Sequence, residues 1–320
     1  MILIISSEKD ITTHIVIQWL KKYNADFLFI KTEDLSSLNS FSIDNTSEKL
    51  TINNVDFSTI NVVWHRRGRL KFLDSSSLNN SNLFLYLKRE EDSVIKSLEN
   101  FQRSTSKAYI GSYIKEVENF KLDHLSLAKK CGFRIPKTLV TTSKKELLHF
   151  KLENNKIITK DLRYPVNVQI TKDTYLSSKG TLLIDDSDIE LLDDKFMPIF
   201  VQEYIEKLFE IRVFFYDSTL FSMAIFSQED EKTIIDYRNY NDEKPNRCIP
   251  FKLPDLIKDK ILKFSNESNI NTGSIDLIFS SEEEFIFLEI NPMGQLDWLS
   301  KNCNYYIEKE IATSLILKNA

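Results

Sequence analysis

Glycine is scarce in this 320-residue chain, and its scarcity excludes two common nucleotide-binding signatures. The six glycines are scattered along the sequence, at Gly68, Gly111, Gly132, Gly180, Gly273 and Gly294. They are too far apart for the GxGxxG dinucleotide fingerprint or for a P-loop, because each of those motifs needs glycines within one short turn. Neither signature is therefore present.

Histidine and cysteine are also rare. No two of the four histidines have the spacing of a zinc site, since they stand at His14, His65, His124 and His149. The three cysteines form no CxxC pair and stand at Cys131, Cys248 and Cys303. A reduced cytoplasmic protein is the simplest interpretation, because disulfide bonds are rare in the cytosol.

Long apolar runs and an excess of basic charge are missing as well. No apolar run reaches the roughly 18 residues of a membrane span, and the start MILIISSEKD lacks the basic region and cleavage site of a signal peptide. The net charge of -5 and the pI near 5.6 argue against a nucleic-acid-binding protein, because such domains are usually basic. We therefore expect neither a membrane nor a nucleic acid as a partner.

The composition that remains is that of a globular protein. Hydrophobic residues make up 42% of the chain and charged residues 28%, and the length predicts about two or three domains. Apolar runs typical of strands, with a helical pattern at 10–25 between the first two, occur at residues 2–5, 26–35 and 61–73. This order indicates an α/β domain with parallel strands, into which we expect a pair of short strands at 50–60 to be inserted.

The rest of the chain mixes helices and strands in a way that indicates α+β lobes. Helical periodicity extends from about residue 83 to 130, with Gly132 as the expected C-cap, and Ser143 is the expected N-cap of the next helix. Residues 174–184 are expected to form a hairpin or a flexible loop. Further strands are predicted at 156–162 and 196–228, a helix at 253–269, and a hairpin at 273–292.

The last hairpin places two carboxylates on otherwise apolar strands. Its turn is the sequence SSEEE at residues 280–284. If the turn centres between Glu282 and Glu283, then Asp276 faces Glu289 across the ladder, with Cβ atoms about 4.5–5.5 Å apart. Asn291 then lies on the same face as Glu289, one pleat further along the strand.

Two like charges in opposite positions destabilise a sheet unless something neutralises them. A divalent cation would do so, and two carboxylates with an amide oxygen suit Mg²⁺, whose coordination shell substrate phosphates complete. The alternative is an edge-exposed hairpin with solvated carboxylates. The metal site is favoured because apolar residues flank the pair on both faces of the hairpin, at Ile275, Leu277, Ile278, Phe287, Leu288 and Ile290.

At this point the residues match a known family. The segment GSIDLIF…FLEINPMGQ resembles the C-terminal metal-binding hairpin of ATP-grasp ligases. The closing NPMGQLDWL resembles a narrower branch, the peptide-maturing enzymes that make graspetides, which include microviridin-type ligases and grasp-with-spasm maturases. The resemblance extends over nearly the whole chain, because the following segments stand in the expected order: VVWHRRG, LAKKCGFRIPKTLVTT, IITK, FVQEYIEKLFEIRVFF and SQ…DYR.

The resemblance implies a role for each candidate site residue. Lys160 would contact the α- or β-phosphate of ATP, and Glu210 would contact the ribose or position cationic groups. Arg212 would contact phosphate or acyl phosphate, and Arg238, in the branch's D-[WY]-R element with Asp236, would stabilise the transferring phosphoryl group. Backbone groups would read the adenine edge in a pocket lined by Gln202, Glu203, Tyr204 and Ile205. Magnesium would be held by Asp276, Glu289 and Asn291.

Without the resemblance, the pattern leaves simpler interpretations open. Lys160 could reach solvent from the end of its strand, and residues 201–207 could form an ordinary strand. Arg212 could pair with Glu210 or another nearby carboxylate, because a buried arginine is rare unless it is paired. Asp236 and Arg238 could be a surface pair.

The resemblance also bears on two further segments, a basic cluster and a loop. The cluster WHRRGRLK is basic in an acidic protein, and the resemblance implies that Arg66 and Arg67 support the nucleotide or acidic-substrate side of the cleft. The loop at 171–181 occupies the place of the phosphate-covering loop. It contains only Gly180, which leaves any phosphate contact from Lys172 or Lys179 open.

The sequence thus predicts an ATP-grasp fold with α/β and α+β parts. The expected units are an N-terminal pre-grasp α/β domain at 1–105, a central lobe at 106–195 and a C-terminal lobe at 196–320. The resemblance implies an ADP-forming ligase, with ATP and Mg²⁺ as cofactors, that cyclises a ribosomal precursor peptide of leader plus core. It also implies a homodimer. The alternatives are a ligase that adds a free amino acid to a peptide or metabolite, and a non-catalytic nucleotide- or peptide-binding module.

Overall fold

A parallel sheet forms the N-terminal part of the chain. The computed structural model describes residues 1–74, 81–163, 167–178, 180–239 and 241–320. The elements of its first part are β1 (Ile2–Ser6), α1 (Ile11–Lys22), β2 (Phe27–Lys31), β3 (Leu38–Ile43), β4 (Glu48–Ile52), β5 (Val55–Asp56), β6 (Val62–His65), α2 (Ser81–Thr105) and β7 (Ala108–Ile110). The sheet has the strand order β2-β1-β6-β7, and its paired strands are parallel. The predicted α/β pattern is confirmed.

Two details of this part differ from the prediction. The insertion is a three-stranded antiparallel sheet, β3-β4-β5, and the predicted pair lacked β3. Strand β7 lies inside the stretch that was predicted as helical from about 83 to 130, and three residues are too few to show a strand period. Because β7 pairs with β6, the first sheet extends beyond residue 105, where the N-terminal domain was predicted to end.

The central part contains an antiparallel sheet. Its elements are α3 (Tyr113–Val117), α4 (Lys121–Lys130), β8 (Thr138–Ser143), α5 (Lys144–Asn154), β9 (Ile157–Thr159), β10 (Asn167–Gln169), β11 (Tyr175–Ser177), β12 (Leu182–Ile184), α6 (Asp186–Glu190) and β13 (Lys195–Glu203). The sheet has the order β12-β9-β13-β8. Strand β13 therefore pairs with strands of the central part, although the C-terminal lobe was predicted to begin at residue 196. The Ser143 hydroxyl caps α5, as predicted, by accepting from the Glu146 N–H.

Residues 174–184 do not form a hairpin of their own. β11 pairs with β10, and β12 pairs with β9, so the two halves of this stretch belong to different sheets. Of the two predicted alternatives, a hairpin or a flexible loop, the hairpin is therefore wrong. Strand pairing over this distance is decided by tertiary contacts, which a short local pattern does not contain.

The C-terminal part is built on a five-stranded antiparallel sheet. Its elements are β14 (Lys207–Tyr216), β15 (Thr219–Phe226), β16 (Arg247–Pro250), α7 (Asp255–Ser268), β17 (Thr272–Ser280), β18 (Phe285–Asn291), α8 (Asp297–Cys303) and α9 (Ile307–Asn319). The order is β16-β15-β14-β17-β18. One face of this sheet packs on α4 and α7, through buried residues such as Phe264 and Phe287.

The last helices return to the N-terminal sheet. Buried residues of α9, such as Ile311 and Leu315, share one core cluster with Ile2 and Val62 of the first sheet and Leu20 of α1. The two ends of the chain are therefore tied together by apolar packing, the main favourable term in folding. Among the described residues, the helices fall short of the combined length and apolar character that a membrane crossing needs.

Candidate active site

The hairpin β17–β18 pairs Asp276 with Glu289, as predicted, but by a different route. The Ser280 N–H donates to the Glu284 carbonyl at 3.0 Å, and Glu283 has φ +60°. The turn therefore spans three residues and centres on Glu282, so the predicted centre is wrong. A β-bulge between Asp276 and Leu277 then shifts the register by one residue.

The bulge explains how a carboxylate is placed on this apolar strand. Phe287 and Ile290 are both buried in the core beneath the sheet, although they are three residues apart. The two residues between them, Leu288 and Glu289, both line the cleft on the other face with Asp276. Strict alternation after Phe287 would turn Glu289 into the core, so the extra residue redirects the carboxylate to the cleft.

Four cations neutralise the two carboxylates. Arg212 Nη1 lies 3.3 Å from Asp276 Oδ1. Glu289 Oε2 lies 3.4 Å from both Lys121 Nζ and Lys160 Nζ, and Glu289 Oε1 lies 3.3 Å from Arg238 Nη1. Buried charges are tolerated when they are paired in this way.

The pKa values of the pair follow from burial and from these cations. Burial alone would raise the pKa of the Glu289 carboxyl, but the three surrounding cations outweigh burial and hold that pKa well below its ordinary range. Burial raises the pKa of Asp276 and dominates over the attraction of Arg212. The two opposite carboxylates thus have unequal affinities for protons, and Glu289 is the one that stays ionised most readily.

The donor set fits a magnesium ion through its two carboxylates. Asp276 and Glu289 offer hard oxygen atoms on adjacent strands, and Mg²⁺ is commonly held by one or two carboxylates with phosphates and water. In the described residues there is no group of three or more His, Cys, Asp and Glu side chains that could hold a metal. The Asn291 amide oxygen already accepts from the N–H groups of Met293 and Gly294, at 3.0 and 3.2 Å.

A single cleft gathers most of the predicted site residues. It lies where β9 and β13 of the central sheet face β14, β17 and β18, and its lining includes Lys160, Gln202, Glu203, Tyr204, Ile205, Glu210, Arg238, Asp276 and Glu289. Arg212 lies behind this lining and donates to the Tyr237 hydroxyl at 2.5 Å and to Asp276. Asn291 lines an adjoining cavity, which it shares with Lys121, Lys160 and Glu289.

The segment after β13 uses part of its backbone within the sheet. The Glu203 N–H donates to the Lys137 carbonyl at 3.0 Å, and the Tyr204 N–H donates to the Lys156 carbonyl at 2.9 Å. The Glu203 carboxylate accepts from the Lys137 N–H at 2.9 Å. These two N–H groups are therefore not free to bind the edge of a base. The predicted recognition of adenine is thus limited to the other backbone groups of this segment.

Glu210 has a partner that the sequence analysis missed. Lys207 is buried, donates to Glu210 Oε1, and also donates to the Ile235 carbonyl at 3.1 Å. Burial raises the pKa of Glu210 to about 7, against the opposing effect of Lys207. Arg212 pairs with Asp276 and not with Glu210, so the suggested Glu210–Arg212 pair is not formed. A lysine and a glutamate within one apolar run are a signal for such a buried pair.

Asp236 and Arg238 pair at the edge of the cleft, and the surface-pair interpretation fails for one partner, because Asp236 is buried while the Arg238 side chain is 46% exposed. Asp236 is 4% exposed and accepts from Arg238 Nε at 2.8 Å and from Arg238 Nη2 at 2.7 Å. It also accepts from the Thr181 hydroxyl at 2.9 Å and from the Thr181 N–H. Burial opposes ionisation, yet these bonds hold the pKa of Asp236 at about 2. Asp236 thus fixes the Arg238 guanidinium toward Glu289.

Lys121 is a second residue that the sequence analysis missed. It occupies the first position of α4, where a positive charge is unfavourable because the helix N-terminus is itself partly positive. It compensates by pairing with Glu289, and it also donates to the Asp161 carbonyl at 2.6 Å. Burial lowers the pKa of Lys121, against the opposing effect of Glu289. A lysine at a helix start is the signal that the sequence offered.

Comparison with known proteins supports the fold. No family model matches the chain, and no curated protein matches it in sequence. A RiPP-associated ATP-grasp ligase from Chryseobacterium gregarium, solved with ADP and a leader and core peptide, matches with a TM-score of 0.83 at 24% identity. That match covers 99% of this chain and 96% of the ligase. The chain has the ATP-grasp fold.

Two more solved structures agree with the ATP-grasp assignment. The macrocyclase MdnC from Microcystis aeruginosa MRC, bound with its precursor peptide MdnA, matches with a TM-score of 0.80 at 23% identity, over 99% of this chain and 100% of MdnC. The ATP-grasp ligase PsnB, complexed with a minimal precursor, Mg and ADP, matches with a TM-score of 0.77 at 16% identity, over 100% of this chain and 97% of PsnB.

Within the ATP-grasp fold, the basic cluster of the N-terminal sheet lies beside the site, not in the cleft. Arg66 is buried and donates to the Met293 carbonyl, just after the hairpin β17–β18, and its Nε lies 3.4 Å from Asp10 Oδ2. Arg67 Nη1 lies 3.7 Å from Asp10 Oδ1. Neither arginine belongs to the cleft lining described above. Arg66 supports the segment after β18, and the role implied for Arg67 stays a prediction.

The segment at 171–181, which was expected to cover phosphates, is held at its C-terminal end by the bonds from Thr181 to Asp236. Lys172 lies in the turn between β10 and β11, where its carbonyl accepts from the Gln169 side chain at 3.0 Å. Lys179 lies outside the described residues. Gly180 has φ +75°, and a Cβ there would lie 3.3 Å from Asp236 Oδ2, which explains the glycine at this point.

Proposed function

We propose that this protein is an ATP-dependent, ADP-forming ligase that cyclises a ribosomally made precursor peptide. The observation that carries the proposal is the convergence of Lys121, Lys160 and Arg238 on Glu289, opposite Asp276, beside the cleft of an ATP-grasp fold. Such an arrangement suits phosphoryl transfer, in which the protein mainly positions groups and neutralises charge. Similar structures, named above, hold precursor peptides together with ADP or with Mg and ADP.

The proposed reaction has two steps. An Asp or Glu side chain of the substrate attacks the γ-phosphorus of ATP, which gives an acyl phosphate and ADP. A Thr or Ser hydroxyl then attacks the acyl carbon, forms an ester and expels phosphate; a Lys amine would give an amide. Each ring closure removes one water overall. We propose esters as the product, because the resemblance is to the grasp-with-spasm branch.

The residues of the cleft have separate roles in this proposal. Asp276 and Glu289 would hold Mg²⁺, which polarises the phosphoryl oxygens when bound. Asn291 would also bind Mg²⁺ through its amide oxygen, in exchange for a hydrogen bond from the Met293 or Gly294 N–H. Lys160 and Lys121 would bind phosphates as point charges. Arg238, held by Asp236, would stabilise charge on the transferring phosphoryl group. Arg212, from behind the cleft lining, would hold Asp276 in place, and its predicted contact with the acyl phosphate would require its guanidinium to reach past that lining.

The nucleotide end of the cleft would bind the base and the ribose. Gln202, Glu203, Tyr204 and Ile205 line it next to the central sheet, and Glu210 would contact the ribose, with Lys207 as its partner. We also propose a homodimer, from the resemblance alone, and a cytoplasmic location, from the scattered cysteines. Sedimentation equilibrium tests the dimer, which has twice the mass of the 37.5 kDa chain.

The proposal is tested with a candidate precursor peptide, sought among the small open reading frames beside the gene. The peptide is incubated with the protein, ATP and Mg²⁺, and its mass is measured. We expect the loss of one or more waters, and we expect the Glu289→Gln variant to abolish it. The matched control is Glu282→Gln, which makes the same change at the exposed turn of the same hairpin and should leave the product unchanged.

Other results would point to the alternatives. ATP hydrolysis with an unchanged peptide mass would indicate a ligase with a free amino acid or metabolite as acceptor. Nucleotide binding that needs no Mg²⁺, without hydrolysis, would indicate a binding module. Full cyclisation by Glu289→Gln would refute the metal assignment.

A further inference from the structure

Asp236 joins two segments of the cleft that are far apart in sequence. Its Oδ1 atom accepts from the Arg238 N–H at 3.0 Å and from Arg238 Nε at 2.8 Å. Its Oδ2 atom accepts from Arg238 Nη2 at 2.7 Å, from the Thr181 hydroxyl at 2.9 Å and from the Thr181 N–H at 3.3 Å. The carboxylate therefore connects the C-terminal end of the segment at 171–181 to the loop that carries Arg238.

The Asp236 carboxylate sets the direction of the Arg238 guanidinium. Nε and Nη2 of Arg238 each bind a different carboxylate oxygen, which is the bidentate arrangement that arginine forms with a carboxylate. The third nitrogen, Nη1, then lies 3.3 Å from Glu289 Oε1. Because the Arg238 side chain is 46% exposed, packing restrains it little, and its direction depends on Asp236.

Thr181 lines the cleft, but both of its donors are already used. A threonine has one hydroxyl proton and one backbone N–H, and in Thr181 both groups donate to Asp236 Oδ2. Neither donor is left for a phosphate oxygen, although a segment that covers phosphates would be expected to supply such donors. The C-terminal end of this segment therefore binds Asp236 in place of a phosphate.

The strands β9 and β12 hold Thr181 beside the carboxylate. Leu182 pairs with Thr159, so Thr181 lies next to Lys160 at the ends of these strands. Gly180 approaches Asp236 so closely that a Cβ at this position would lie 3.3 Å from Asp236 Oδ2. The backbone thus packs against the carboxylate and, together with the two bonds from Thr181, restricts its rotation.

We infer that Thr181 is a positioning residue for phosphoryl transfer, because it fixes the Asp236 carboxylate, which in turn directs the Arg238 guanidinium. This inference rests on the proposed function, since it concerns the charge that Arg238 stabilises there. Without the Thr181 hydroxyl, the carboxylate can rotate, and the guanidinium is correctly placed in a smaller share of the molecules. The segment at 171–181 thus acts on catalysis through an arginine.

The test measures ADP formation with Mg²⁺ and a saturating candidate precursor peptide while the ATP concentration is varied. Thr181→Val removes the hydroxyl with almost the same shape, and kcat should fall about tenfold, because a misplaced charge stabilises the transition state less. KM for ATP should stay within about twofold, since Thr181 has no donor left for the nucleotide. Thr181→Ser keeps the hydroxyl and should restore most of kcat. Thr142→Val, at an exposed position of β8 in the same sheet, is the matched control.

A double-mutant cycle with Asp236→Asn shows whether Thr181 acts through the carboxylate. The amide has a single oxygen and no charge, so it cannot hold the guanidinium in the bidentate arrangement. In that background, Thr181→Val should lower kcat by less than about twofold. An equal loss of kcat in both backgrounds would mean that Thr181 contacts the substrate directly, and the inference would be wrong.

Two other results would overturn the inference. One is an unchanged kcat in Thr181→Val, and the other is a rise in KM for ATP without a loss of kcat, which would indicate that the segment binds phosphate. Should Thr181→Val fail to fold, Thr181→Ala is judged by the same criteria, and should Asp236→Asn lack turnover, the comparison of kcat with KM decides. Absence of ADP formation by the folded, unaltered protein would refute the proposed function itself, which is a distinct result.

Discussion

At the scale of single residues, the buried charge of Glu289 is stabilised by cations from distant segments of the chain. Glu289 stands among apolar neighbours on β18, and its three cations come from α4, from the end of β9 and from the loop that holds Asp236. Two of these cations are kept in place by further bonds, since Asp236 holds Arg238 and the Asp161 carbonyl accepts from Lys121. The tolerance of β18 for a carboxylate is therefore a property of the assembled site.

The clearest stability prediction at this scale concerns Asp236. Its pKa of about 2 lies below the ordinary value of 3.8, so the ionised form stabilises the fold. This contribution is fully present above pH 3.8 and is lost as the pH falls toward 2. We expect Asp236→Asn to lower the free energy of unfolding by about 2 kcal/mol at pH 7, as measured by urea denaturation.

The pH dependence gives this prediction a second check. The difference between Asp236→Asn and the unaltered protein should stay constant from pH 7 to pH 5 and shrink below pH 4. Asp259→Asn makes the same change at an exposed position of α7 and serves as the control, with no effect expected. An equal loss of stability in both variants would contradict the role assigned to the buried carboxylate.

At the scale of elements, the hairpin β17–β18 determines where the two carboxylates meet. A three-residue turn and a one-residue bulge are both needed, because the turn alone would place Leu288 opposite Asp276. The bulge lets Leu288 and Glu289 face the cleft together while Phe287 and Ile290 stay in the core. Irregularities of this kind are common next to active sites.

The turn of this hairpin makes a stability prediction. Glu283 has φ +60°, a left-handed conformation that is unfavourable for a residue with a side chain. Glycine has no such penalty, so Glu283→Gly should stabilise the protein by about 0.5–1 kcal/mol in urea denaturation. Glu284→Gly is the control and should destabilise, since φ is not positive there and the Glu284 contact with Arg134 is lost. Destabilisation by both variants would refute the argument.

At the scale of the whole molecule, the cleft joins two lobes through opposite charges. Lys121 and Lys160 come from the central part, and Glu289 comes from the C-terminal sheet. The cations proposed to bind phosphates are thus held by the carboxylate proposed to bind the metal. A nucleotide that binds the two lysines should free Glu289 for the metal, and a metal that binds Glu289 should free the lysines for the phosphates. The two ligands should therefore show positive coupling.

This coupling is tested without measuring activity. Lys121→Met removes one cation from Glu289, so the affinity for Mn²⁺ in the absence of nucleotide should rise several-fold, as followed by the electron paramagnetic resonance of free Mn²⁺. The affinity for ADP should fall in the same variant. Lys130→Met, at an exposed position of the same helix, is the matched control. Unchanged Mn²⁺ affinity in Lys121→Met would contradict the coupling.

The sequence by itself determined features that depend on local or periodic information. The parallel N-terminal strands, the Ser143 cap, the glycine after α4 and the apolar strands of the last hairpin were predictable, because neighbouring residues specify them. Motif order also predicted the ATP-grasp fold and most of the residues that line the cleft, whereas Arg212 lies behind the lining and Asn291 lines the adjoining cavity.

Only the tertiary structure decided the rest. The pairing of β7 with the first sheet, the bulge at Leu288, and the partners Lys121 and Lys207 depend on contacts between segments far apart in sequence or on one-residue shifts in register. Asn291 lies in the predicted place, yet its amide oxygen is used by a turn. A pattern shows which residues share a face, whereas packing and competing hydrogen bonds decide which atoms remain free.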